Sequence, residues 1–135
     1  MRGSEPVGIV VAGDDSLRLL FRALLRLNHI WVAGEAKGVE QALDLVRDHR
    51  PQIILVDVDL VQGTWPVLVT YARAIVPGLR VILTAPSTHP PTRALDAPER
   101  PDVILLRPFR ISQFMEVVAP TLSKRGSQPA QDNTS

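Results

Sequence analysis

Two aspartates, Asp57 and Asp59, close the apolar run "IILVD" with one residue between them, and two more, Asp14 and Asp15, follow "VGIVVAG" near the start of the chain. Thr84 ends the run "RVILT", and Arg107 ends "DVILLR". A carboxylate, a hydroxyl, a fixed positive charge and a cation site are the parts needed to receive a phosphoryl group on an aspartate. Catalysis of such a transfer is mostly positioning and charge neutralisation. Clustered acids repel, and a hard divalent cation such as magnesium, which takes one or two carboxylates plus water and phosphate oxygens, would relieve them. Each residue also has a plainer reading as a solvated charge at a strand end, so the chemistry depends on their convergence.

Convergence depends on the elements that carry these residues. "VGIVVA" (7–12) is a short apolar run suited to a strand buried on both faces. Leu17, Leu20, Phe21, Leu24 and Leu25 then recur at helical spacing, with Arg18, Arg22 and Arg26 four apart on another face. "IWVAGEA" (30–36), "QIILVD" (52–57), "RVILTA" (80–85) and "DVILL" (102–106) read as further strands. Val39, Ala42, Leu43 and Val46 mark a second helix, and "VLVTYARAI" (67–75) a third. Between Ala85 and Asp102, prolines at 86, 90, 91, 98 and 101 leave room for one or two turns around Thr92 to Ala97, so the fourth helix is expected to be short or irregular. Ile111, Phe114, Met115 and Val118 begin a last helix, which Pro120 should shorten or kink.

Alternating strands and helices, with nearly continuous apolar strands, predict an α/β fold: a flavodoxin-like, doubly wound three-layer sandwich with a five-stranded parallel sheet in the order 2-1-3-4-5. In that order the winding reverses between strands 1 and 3, and ligands bind outside the carboxyl ends of the strands at such a point. Asp14, Asp15, Asp57 and Asp59 would then share one rim, with Thr84 and Arg107 beside them.

Composition bounds the rest. A chain of 135 residues with 45% hydrophobic and 21% charged residues has the balance of one ordinary globular domain. A net charge of +1 gives no electrostatic argument for nucleic acid or a membrane surface. There is no cysteine, hence no thiolate chemistry, and His29, His49 and His89 are too dispersed for a local metal motif. No run approaches the roughly 18 apolar residues of a spanning helix, and a cytoplasmic protein is expected. Residues 1–6 read as an N-terminal tail and 124–135 as a disordered tail or linker around a domain at 7–123.

Over residues 7–123 the sequence resembles the receiver domain of bacterial two-component response regulators. The resemblance rests on "VVAGDDSL", on "ILVDVDL" with Asp57 at the phosphoacceptor place, on "VILTA" with Thr84 at the switch hydroxyl, and on "LLRPF" where the family usually has Lys-Pro-Phe. It implies that Asp57 accepts a phosphoryl group from a sensor histidine kinase and that the signal is relayed by conformational change. It implies magnesium held by Asp14, Asp57 and the backbone carbonyl of Asp59, with Asp15 joining if the alignment shifts by one residue. Thr84 and Arg107 would contact the phosphoryl group. Ile104 stands where the family's switch aromatic often lies, so that aromatic is absent.

Other departures fall in the pocket. Gly13 takes the place of the first acid of the family's pair, Val61 that of a proline, and Trp65 that of a glycine. The Trp65 ring could cover the site or pack on the third helix, and packing is expected because a tryptophan is mostly apolar area. The implied partners are the kinase and a downstream output protein, or an effector domain missing from this chain, with a homodimer as a further assembly. Enzymatic activity beyond self-phosphorylation and self-dephosphorylation is not expected. Two alternatives stay open. One is a pseudo-receiver that binds a protein partner independently of phosphorylation. The other is a haloacid-dehalogenase-like phosphatase, with Asp57 as nucleophile and Asp59 as general acid/base. The Arg18, Arg22 and Arg26 stripe reads as a solvated face or as a contact for a partner.

Overall fold

In the computed structural model, residues 5–59, 63–88 and 99–120 are described. The five strands are β1 (Val7–Val11), β2 (Trp31–Ala36), β3 (Ile53–Asp57), β4 (Arg80–Pro86) and β5 (Val103–Arg107). The helices are α1 (Asp15–Leu27), α2 (Val39–His49), α3 (Trp65–Ile75) and α4 (residues 111–120). All strand pairs are parallel, and the order is β2-β1-β3-β4-β5, as the alternation of periodicities predicts. The expected irregular helix at 92–97, Val61 and both tails except residues 5 and 6 lie outside the described residues.

Strand alternation sorts the core into two layers. Ile54, Val56, Val81 and Leu83 face α2 and α3 and pack with Ala42, Val46, Leu68 and Ala72. Val10, Ile53, Leu55, Ile82 and Leu105 face the opposite way, against Phe21, Leu24 and Leu25 of α1 and Phe114 and Val118 of α4. The sheet is therefore covered on both sides. This accounts for the near-continuous apolar runs of β1, β3 and β4, whereas β2, at an edge, is mostly half-buried.

Two residues of the last helix differ from the apolar stripe expected of them. Phe114 and Val118 are fully buried, but Ile111 and Met115 are exposed. Of α4 only Phe114 and Val118 join the buried cluster, with Val117 partly buried against it, so the buried stripe is narrow and residues at its flanks remain outside. Arg80 ties this helix down, donating from Nε and Nη2 to the carbonyl of Val117 at 3.1 and 2.8 Å.

Gly8 is enclosed by side chains of β3, α1 and Ile30. A Cβ there would lie 2.9 Å from Ile53 Cγ2 and 3.1 Å from atoms of both Ile30 and Leu25. Gly8→Val should lower stability by about 1–3 kcal/mol through overpacking, read as a lower urea midpoint with an unchanged slope.

Candidate functional site

Register decides which side chains meet. Asp57 is paired with Thr84, and Pro86 with Arg107, along adjacent strands. Asp57 has the parity of Ile53 and Leu55, Thr84 that of Ile82, and Arg107 that of Leu105, so all three turn to the face covered by α1 and α4. Three sequence-distant residues thus converge at the carboxyl ends of three neighbouring strands.

Asp57 is 3% exposed, and a buried carboxylate must be hydrogen-bonded or paired to be tolerated. It is both. Oδ1 accepts from Thr84 Oγ1 at 3.0 Å and from Arg107 Nη2 at 2.8 Å, and Oδ2 accepts from the Asp59 backbone N–H at 3.1 Å. With two acceptor directions per oxygen, Oδ1 is filled, while Oδ2 keeps one direction free of donors among the described residues. Asp57, Asp59 and Arg107 line a cleft of about 590 Å³ together with Gly13, Asp14, Ser16, Leu17 and Leu20.

The acids after β1 have separate positions. Asp14 lines the cleft but is also the N-cap of α1, its Oδ1 accepting from the Leu17 N–H at 3.0 Å. Asp15 is exposed and pairs with Arg18. Among the described residues no three His, Cys, Asp or Glu side chains form a group that could hold a metal. The carboxylates that line the cleft are those of Asp57, Asp14 and Asp59. Gly13 contributes no side chain, and a Cβ there would meet nothing within 4 Å.

Trp65 packs as expected: it begins α3, is buried, and joins the core beside Leu68 and Val69. Ile104 is partly buried against the same core layer as an aliphatic packing residue. The Arg107–Pro108 peptide is cis.

The arginine stripe of α1 is solvated only at its far end, where Arg26 is exposed. Arg18 is buried, donating to the carbonyls of Ala12 at 2.8 Å and Gly13 at 3.3 Å and to Glu35 of β2 at 3.3 Å, in addition to Asp15. Arg22 pairs with the other oxygen of Glu35. The four-residue spacing placed these arginines on one line, but Glu35, on a neighbouring strand, turns that line inward at its start. Sequence reasoning missed Arg18 as a support of the loop that carries Gly13 and Asp14. The signal available was a lone acid in the apolar run "IWVAGEA". Arg18→Ala should cost about 1.5–3 kcal/mol, the range for hydrogen bonds from a charged group, measured by chemical denaturation.

The sequence matches no protein-family model and no curated protein. Solved structures do match. The signal receiver domain of an HD domain-containing protein from Pseudomonas fluorescens Pf-5 superposes with a TM-score of 0.77 at 18% identity, covering 91% of this chain and 98% of that one. A CheY-like response regulator receiver domain protein from Methanospirillum hungatei JF-1 gives 0.75 at 15% identity, covering 92% and 98%. The REC domain of AraT, a response regulator from Geobacillus stearothermophilus, gives 0.69 at 22% identity, covering 94% and 97%. The chain has the fold of response regulator receiver domains. No helix among the described residues is long and apolar enough to cross a membrane.

Proposed function

We propose that this chain, built on the receiver fold, is the signal-receiving module of a cytoplasmic two-component pathway, with Asp57 as its phosphoacceptor and no classical enzymatic activity. An oxygen of Asp57 bonds to phosphorus as the P–N bond of a sensor kinase phosphohistidine breaks, and the electron pair leaves with the imidazole. The observation that carries this reading is the buried Asp57 carboxylate at the cleft, with Oδ1 held by Thr84 and Arg107 and Oδ2 retaining an open acceptor direction.

Thr84 and Arg107 then act after transfer as well as before it. The single hydroxyl proton of Thr84 can serve Asp57 or a phosphoryl oxygen but not both at once, so adding the group changes its partner. Such an exchange biases a two-state domain, and a downstream output protein or effector domain reads the result. The side chains of Asp14 and Asp57, with the backbone carbonyl of Asp59, are the groups that would hold magnesium. One or two carboxylates fit an ion that keeps several of its ligands as water and phosphate oxygens. Magnesium supplies charge neutralisation for the incoming phosphoryl group. Asp15, paired with Arg18, stands outside this set.

Gly13→Asp places a further carboxylate where there is room for it. It should tighten magnesium binding by about tenfold, roughly 1.4 kcal/mol, in a calorimetric titration.

The deciding experiment incubates the full chain with acetyl phosphate and magnesium and follows intact mass. An adduct of one phosphoryl group supports the acceptor role, and its absence at saturating donor rejects it. Steady turnover of para-nitrophenyl phosphate would instead support the phosphatase reading. One observation favours a second reading: Arg107 already balances the charge of Asp57, so the same surface can serve as a protein-binding module without phosphate. Failure to form any adduct would leave that role.

A further inference from the structure

Arg107 uses only half of its grip on Asp57. The Nε–H of an arginine and one hydrogen of Nη2 point the same way and together hold two adjacent oxygens. Here Nη2 holds Asp57 Oδ1 at 2.8 Å, whereas Nε is buried and has no hydrogen-bond partner among the described residues. The other carboxylate oxygen, Oδ2, accepts from the backbone N–H of Asp59 at 3.1 Å and makes no bond with Arg107. A buried donor without a partner is rare enough to need a reason. A second oxygen standing beside Oδ1 would complete the fork, and a phosphoryl group on Asp57 brings three.

The acids of the cleft lead to the same place. Gly13 contributes no side chain although there is space for one, and no group of three metal-holding side chains is assembled among the described residues. Positive charge beside Asp57 is instead built into the chain, at the end of β5. A lysine there would be a compact point charge without a parallel pair of donors.

We infer that Arg107 is a specificity-determining clamp for a tetrahedral oxyanion on Asp57, which lets the site hold a phosphoryl-like group with little dependence on a divalent cation. This inference rests on Asp57 being the acceptor. The neutralising role is shifted from a metal that must be recruited to a guanidinium that is already in place. Asp14 and Asp59 oppose an anion in the metal-free cleft, so the clamp is the element that must offset them.

Beryllofluoride is the probe, because an Asp57 oxygen replaces water on beryllium and the fluorides stand where phosphoryl oxygens would. The full chain is titrated and followed by fluorine NMR, once with magnesium and once with EDTA, for wild type and Arg107→Lys. Wild type should show bound fluorine signals in both conditions, weakening by less than about tenfold without magnesium. Arg107→Lys should bind with magnesium and weaken by more than about a hundredfold in EDTA. Wild type losing the probe in EDTA as steeply as Arg107→Lys overturns the clamp and leaves the acceptor role standing. Equal retention by both proteins in EDTA also overturns it. No binding of wild type in either condition rejects the clamp and the acceptor role together.

Discussion

On the proposed acceptor role, Asp57→Asn is expected to abolish the acetyl phosphate adduct, while Asp59→Ala is expected to retain it. The reasoning is geometric. Asparagine keeps the outline of the side chain and an oxygen able to accept from Thr84 and Arg107, but it offers no carboxylate to attack phosphorus. Asp59 contributes to the site through its backbone N–H, which donates to Asp57 Oδ2, and alanine preserves that group. The expected change is therefore complete loss in one variant and a modest change in rate in the other. Intact mass spectrometry reads both, and an adduct that survives Asp57→Asn would assign the acceptor to another residue. Near-ultraviolet circular dichroism guards against an unfolded variant, since Asp57→Asn leaves the Arg107 cation in place without a carboxylate partner.

The largest loss of stability is expected from Phe114→Ala, about 3–5 kcal/mol. Phe114 is fully buried in the layer between α1, α4 and the sheet, and its ring stacks on Phe109 with centroids 6.2 Å apart and planes 20° from parallel. Truncation leaves a cavity in the layer that also lies beneath Asp57. A domain of this size has roughly 5–15 kcal/mol in total, so the variant should be at the edge of folding at physiological temperature. Met115→Ala, one residue along but exposed, should change stability by no more than about 0.5 kcal/mol. Urea unfolding of the pair measures how much of the helix's apolar stripe is engaged, and equal effects would contradict the packing described.

Much of this arrangement was legible in the sequence because it depends on period and punctuation. The strands announce themselves as apolar runs, and the crossover rules then fix their order. Asp57 and Arg107 end their strands and Thr84 lies two residues before the end of β4, where topology brings distant residues together. What was not legible depends on long-range neighbours. Arg18 is held inward by Glu35 of β2 and by the carbonyls of Ala12 and Gly13, and no local pattern of α1 contains these partners. The exposure of Ile111 and Met115 reflects the narrow stripe that α4 buries, whereas their apolar character only shows that they could have been covered. Asp14 is a helix cap as well as a cleft residue, and spacing shows only one of these uses.

The common parity of Asp57, Thr84 and Arg107 has a consequence for heredity. What must be transmitted for these three groups to keep meeting is a count, odd or even, along each of three strands, together with three letters at or near their ends. The remaining positions need only be apolar on the correct beat. Substitutions can therefore replace nearly every letter while the arithmetic persists, whereas one inserted or deleted residue inside β3, β4 or β5 breaks it at once. Descent in such a molecule is written in rhythm more than in spelling, so kinship by letter can fade while the shape and the meeting point endure.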